Sequence, residues 1–250
     1  MIILDCESLD STLDSLGAIY QTNTKIIHEF FRSLDLDAHY ETTKPLLPGD
    51  EEVRRLLEQH ICRRPKPLAR VNWFHLTRTF DPMSFKNGIN PLAKDAEPIW
   101  SMLCQVFEGT PHVDNLQTMR NKGVPNFQYN LKVGEALHAG PFGMLVQEVA
   151  DCASEIGNHD YLAMPEIIED ICSGYLVAYN FDLEPFLKQT LIPARVKFWS
   201  DQITHDGCLE AAIYYSYLAS RDQRLTMNAN TCFDGENRPI PPEQIINIIY

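Results

Sequence analysis

Apolar spacing changes character near residue 71, and that change limits the folds open to this chain of 250 residues. Before it, Leu13, Leu16, Ile19, Tyr20, Ile26, Ile27, Phe30, Phe31 and Leu34 recur at helical intervals. Residues 10–37 therefore predict one or two amphipathic helices, with Gly17 as an interruption. Pro45 to Asp50 is a turn. Asp50 can cap a helix over residues 51–59, whose acidic first turn suits the helix dipole. Pro65 and Pro67 then stop helical structure.

From Val71 onward strand and helix signals interleave without a regular rhythm. A strand opens at Val71, and Ile99, Leu103 and Phe107 predict a helix over residues 95–108. Residues 109–123 are polar and read as loop. Phe127, Tyr129 and Leu131 alternate with polar residues, as a half-buried strand does. Gly134 and Gly140 bracket a turn before a strand over residues 141–146. Pro165 suits the first position of a helix running to Tyr179. Further strands are expected over residues 195–199 and 225–233, with a helix over 209–218 between them. The turn Asp234-Gly235 precedes an isoleucine run over 245–249. No G-x-G-x-x-G and no P-loop is present, so a doubly wound nucleotide fold is disfavoured. The expected class is α+β with a mainly antiparallel sheet, divided into a helical N-terminal region (1–67) and an α+β domain (68–250).

Composition narrows the function classes. The formal charge of −13, from 34 acidic and 21 basic residues, repels phosphate and argues against non-specific nucleic-acid binding. One basic stretch, Arg63, Arg64, Lys66 and Arg70, is either a solvated linker or a surface for a pyrophosphate or an acidic substrate. Seven cysteines without a C-x-x-C pair argue against a disulfide framework or zinc ribbon and for a reducing compartment. The acidic start lacks the basic region of a signal peptide, and no apolar run approaches the ~18–20 residues of a spanning helix. These marks predict a cytoplasmic protein without membrane partners. An effector exported by a dedicated machine would carry the same marks.

The richest segment is Val71 to Trp100. Its apolar, β-prone start delivers His75 and Thr77 to one face of a strand, with Leu76 turned to the other. There the two polar side chains can jointly hydrogen-bond a ribose or an amide, or His75 can be satisfied by a neighbouring carbonyl. Phe85 follows, then Gly88-Ile89-Asn90-Pro91-Leu92, a short helical turn broken by glycine.

A strand carrying His-x-Thr, followed by a turn ending in Gly-Ile-x-Pro-Leu, resembles the first motif of the ADP-ribosyltransferase fold, in its diphtheria-toxin-like and poly(ADP-ribose)-polymerase-like families. The resemblance implies a split, mainly antiparallel β-sheet whose cleft binds NAD as substrate. It implies that His75 contacts the adenosine-side ribose, that Thr77 helps fix the nicotinamide side, and that Leu76, standing where the families carry glycine, offers its backbone to the carboxamide. Gly140-Pro141-Phe142-Gly143 is the best match to the second motif. Phe142 would stack on nicotinamide in place of the families' tyrosine, with the π-face but without the hydroxyl. Ile240-Pro241-Pro242-Glu243-Gln244-Ile245 is similar to the segment that trails the families' catalytic glutamate. The strand before it holds no glutamate, which leaves Glu236 as the candidate carboxylate to stabilise oxocarbenium-like charge as nicotinamide departs. The implied activity is transfer of ADP-ribose from NAD to a protein, nucleic-acid or small acceptor. The alternative is a degenerate module that keeps the cleft as a nucleotide-binding or protein-interaction surface.

Other constellations are weaker. His138, His159, Asp160 and Glu169 lack zinc-ligand spacing. Glu166, Glu169 and Asp170 form an acidic stripe near a helix start. Tyr214, Tyr215 and Tyr217 are most simply a packing face of a helix.

Overall fold

The computed structural model describes residues 1–81, 83–134, 140–202 and 205–250. The chain is mixed α+β, with ten α-helices and an open, mainly antiparallel six-stranded sheet among the described residues. It divides into two compact units. The first comprises Met1–Phe74, Met144–Asn158 and Phe198–Phe233, and the second His75–Gly143, His159–Lys197 and Asp234–Tyr250.

The first unit is built on helices. A reciprocal capping box starts α1 (Leu9–Tyr20), with Ser11 N–H donating to Ser8 Oγ and Ser8 N–H to Ser11 Oγ. Both orphan donors are thereby satisfied. The helix runs unbroken through Gly17, which is buried beside Thr22 and Thr24. It is followed by α2 (Thr24–Ser33), α3 (Leu36–Thr43) and α4 (Gly49–Ile61). Asp50 does not cap α4: Pro48 holds that position and Asp50 lies inside the acidic first turn. Of these, α1, α2 and α4 pack against α10 (His205–Ala219), whose Ala211, Ala212, Ile213, Tyr215 and Leu218 are buried. On α4, Glu52 is fully buried and held by Arg55 at 2.8 and 2.6 Å and by His39 of α3 at 2.6 Å.

The second unit surrounds its own core. Trp100 and Leu103 from α5 (Leu92–Val106), with Phe107 at its C-cap, meet Leu116 and Met119 from α6 (His112–Lys122) and Ile168, Ile171 and Tyr175 from α8 (Glu166–Tyr179). Two sequence expectations fail here. Residues 109–123 contain α6 instead of a loop. Thr110 and Pro111 start it, Gly123 at φ 99° ends it, and two buried apolar residues three apart were enough to anchor it. Residues 127–131 belong to α7 (Phe127–Gly134) instead of a strand. Phe127 and Leu131 are also four apart, and Asn126 Oδ1 accepts from Tyr129 N–H at 2.8 Å as an N-terminal cap does. The turn expected after Gly134 lies outside the described residues. The short α9 (Glu184–Thr190) completes the helices.

The sheet order is β5-β3-β2-β4-β6, for β2 (Arg70–Thr79), β3 (Phe142–Met144), β4 (Ile192–Ser200), β5 (Cys232–Asp234) and β6 (Ile245–Ile249). The two-residue β1 (Ile3–Leu4) runs parallel to β2 at Arg70 and Val71, while β3 is antiparallel to β2 with Phe74 opposite Met144. The strand expected over 225–233 contracts to β5. Asn230 is the reason: its Oδ1 accepts from Leu145 and Val146 N–H at 3.0 and 3.1 Å, and a 3-10 turn fills residues 227–229.

Candidate functional site

His75, Thr77, Phe142 and Glu236 all belong to the second unit. On β2, Leu76 is buried, at 5 % exposure, while His75 and Thr77 are half-buried on the other face. His75 Nδ1 stands 2.8 Å from the carbonyl oxygen of Phe142. A carbonyl can only accept, so Nδ1 carries the proton and donates it. Phe85 packs edge-on against the imidazole at a centroid distance of 6.4 Å. Phe142 is 42 % exposed.

The turn after β2 is fastened by Thr79, whose hydroxyl bonds Ser84 Oγ at 2.8 Å and Asp81 O at 2.9 Å. A 3-10 turn over Ser84–Asn87 then ends at Gly88, with φ 88°. A Cβ there would stand 2.1 Å from Ile240 O, so glycine is required both by conformation and by the approach of the backbone. That approach is a two-way bridge: Ile89 N–H donates to Ile240 O at 2.9 Å and Ile240 N–H to Ile89 O at 2.8 Å. The Gly-Ile-x-Pro-Leu segment and the Ile-Pro segment, about 150 residues apart in sequence, are thus neighbours.

The Gly140-Pro141-Phe142 segment joins the same neighbourhood. Pro141 O accepts from Gly235 N–H and Gly140 O from Asn237 N–H, both at 2.9 Å. Glu236 sits between these contacts in a left-handed turn, with φ 50°. Its N–H is held by Asp234 Oδ1 at 2.8 Å, and its carboxylate pairs with Arg238 at 2.6 Å. The carboxylate is 71 % exposed. All three motif segments are therefore linked through backbone hydrogen bonds, with Glu236 on the surface of the assembly.

No protein-family model matches the chain, and neither a curated protein nor a solved structure shows significant similarity to it.

One residue of the motif escaped the sequence reading. Arg78, on the Leu76 side of β2, donates to Leu162 O at 2.5 Å, Lys188 O at 2.7 Å and Leu191 O at 2.6 Å. Burial lowers its pKa, and its cation faces the carbonyl end of α9, where a helix favours positive charge. The detectable signal was an arginine at the strand position that alternation assigns to the core. Arg78 anchors the strand that carries His75 and Thr77.

The remaining candidates resolve into structural contacts. His159 Nε2 is 2.7 Å from Met164 O and 3.9 Å from Glu169. Among the described residues no group of three or more His, Cys, Asp or Glu side chains could hold a metal ion, and His138 lies outside them. In the acidic stripe, Lys132 bridges Glu166 at 2.9 Å and Asp170 at 2.7 Å. The cysteines form no disulfide, and burial pushes the Cys172 thiol up to about 12. No described helix is long and apolar enough to cross a membrane. A depression of about 400 Å³ in the first unit is lined by Asp50, Glu210 and three asparagines and by no basic residue, a poor match to a pyrophosphate.

Proposed function

We propose that the second unit carries an NAD site of ADP-ribosyltransferase type, that the sheet is the split sheet of that fold, and that the protein transfers ADP-ribose from NAD to an acceptor. The observation that supports this reading is the linkage of three sequence-distant motifs around His75: the bond to Phe142 O, the bond from Gly235 to Pro141 O, and the Ile89–Ile240 bridge. Each residue has a role suited to its chemistry. His75 meets a ribose hydroxyl through Nε2, while Nδ1 holds Phe142 O. Thr77, on the same face, fixes the nicotinamide side, and the Leu76 backbone contacts the carboxamide. Phe142, with its ring accessible, stacks on nicotinamide.

In the transfer itself, the bond between ribose C1′ and the pyridinium nitrogen breaks, its electron pair leaves with neutral nicotinamide, and positive charge develops on the ribose. The acceptor then bonds to C1′ and releases its proton. Glu236, on the turn whose Gly235 N–H donates to Pro141 O, is the carboxylate assigned to that charge. It must leave Arg238 to face that charge.

That exchange favours a second reading, a module that binds NAD or a related nucleotide without turnover. Its specific support is the Glu236–Arg238 ion pair on an exposed turn, together with phenylalanine in place of tyrosine. Calorimetry with NAD and measurement of nicotinamide release separate the readings. Binding with release that falls about 10²-fold or more in Glu236→Gln supports transfer. Binding without release supports the module, and folded protein that neither binds nor consumes NAD removes both.

A further inference from the structure

The outer strand β6 is unlike the rest of this acidic chain. Residues 244–250, Gln-Ile-Ile-Asn-Ile-Ile-Tyr, contain no charge, no proline and no glycine. Edge strands of soluble proteins are ordinarily guarded by charge, proline, a bulge or shortness. The opposite edge, β5, follows that rule, with three residues and Asp234. β6 does not: it has five residues, Ile246 is 48 % exposed and Asn247 is exposed. We propose that β6 pairs antiparallel with β6 of a second copy of this chain, about a two-fold axis at Asn247, to make a closed dimer.

Three observations select that occupant. The strand reads Ile-Ile-Asn-Ile-Ile in both directions, so a two-fold at Asn247 sets isoleucine opposite isoleucine and asparagine opposite asparagine. Such an isologous contact is self-complementary. Second, each copy carries a formal charge of −13, which repels another copy over most of the surface, whereas this edge opposes no charges. Third, Ile248 N–H is capped by the neighbouring Asn247 Oδ1 at 2.9 Å, which marks it as a donor on the outer side of the strand. Strand alternation then turns Ile246 outward as well. In the dimer Ile246 and Ile248 of opposite copies exchange backbone hydrogen bonds. Asn247 faces its own symmetry mate in the non-hydrogen-bonded pair, where Cα atoms come within about 4.5 Å and side chains are closest. The pairing uses up the edge of both copies and stops there.

The test is solution mass by light scattering and sedimentation over a concentration series, with the full chain. The unaltered protein is expected to double its mass. Asn247→Lys and Asn247→Glu each place like charges face to face across the axis and should weaken the dimer about tenfold or more. Mixing the two variants in equal amounts should restore it as a heterodimer. A helical spectrum and melting midpoint close to those of the unaltered protein show that the variants fold. The proposal is overturned by an unaltered protein that stays monomeric up to about 1 mM, by a dimer that persists in Asn247→Lys, by a mixture that stays monomeric, or by open-ended polymers in place of a dimer.

Discussion

His75 Nδ1 lies 2.8 Å from the carbonyl oxygen of Phe142, 67 positions further along the chain. This bond ties the first motif to the second and leaves Nε2 for the nucleotide in the proposed site, so the two roles of the ring can be separated by substitution. In His75→Asn the side-chain amide can still donate to Phe142 O but has nothing at the Nε2 position. His75→Ala loses both. NAD affinity, read by calorimetry, is expected to fall about tenfold in either variant, whereas the melting midpoint should fall only in His75→Ala. Unchanged affinity in His75→Asn would remove Nε2 from the nucleotide site.

Gly88→Ala tests the bridge between the first and third motifs. The added methyl carbon would overlap Ile240 O, at 2.1 Å, in a backbone conformation with φ 88° that L residues rarely adopt. Both paired segments must shift to accept it. We expect a loss of about 2 kcal/mol or more, a drop of roughly 4–8 °C in the midpoint for a chain of this size. Ile89 and Ile240 amide exchange should accelerate in the same variant, and protection equal to that of the unaltered protein would show that the bridge survives.

The parts of the fold that could be read from sequence are those where local pattern and tertiary packing agree. The β2 strand announces itself through Val71, Trp73 and Phe74, all buried, and α8 through Pro165 and its isoleucines. Where they disagree, one side chain decides. Asn126 turns an alternating segment into α7, and Asn230 shortens a predicted strand by bonding Leu145 and Val146. Neither effect leaves a periodic signal, because each depends on a backbone group whose position is fixed elsewhere. The candidate site shows the same division. His75, Thr77 and Phe142 were legible as residue types on strands. The pairing of Glu236 with Arg238 and the anchoring of Arg78 depend on turn geometry and on helix ends, which spacing alone does not encode.

Arg78→Lys should separate charge from geometry in that anchor. Lysine keeps the cation but cannot reach Leu162 O, Lys188 O and Leu191 O together, as the two arms of the guanidinium do. Carbonyls left without a partner in a half-buried setting cost more than the lost attraction returns. The expected destabilisation is about 2–4 kcal/mol, read by denaturant titration, with faster amide exchange at the end of α9. If Arg78→Lys matches the unaltered protein in both measurements, the carbonyl contacts are dispensable.

Glu52 should make the stability of the first unit depend on acid. Its hydrogen bond from Arg55 is the main cause that lowers its pKa from 4.5 to about 2, aided by the hydrogen bond from His39 and opposed by burial. Because the folded value lies below the unfolded one, the ionised carboxylate stabilises the fold fully above about pH 4.5, and the contribution disappears as pH falls toward about 2. Glu52→Gln removes that dependence while keeping the shape. The stability difference between the two proteins should be largest at neutral pH, on the order of 2 kcal/mol, and should shrink steadily through that acid window. Chemical unfolding at a series of pH values measures it directly. A difference that stays constant from neutral pH to about pH 2 would mean that the Arg55 and His39 contacts do not favour the ionised carboxylate over the protonated one.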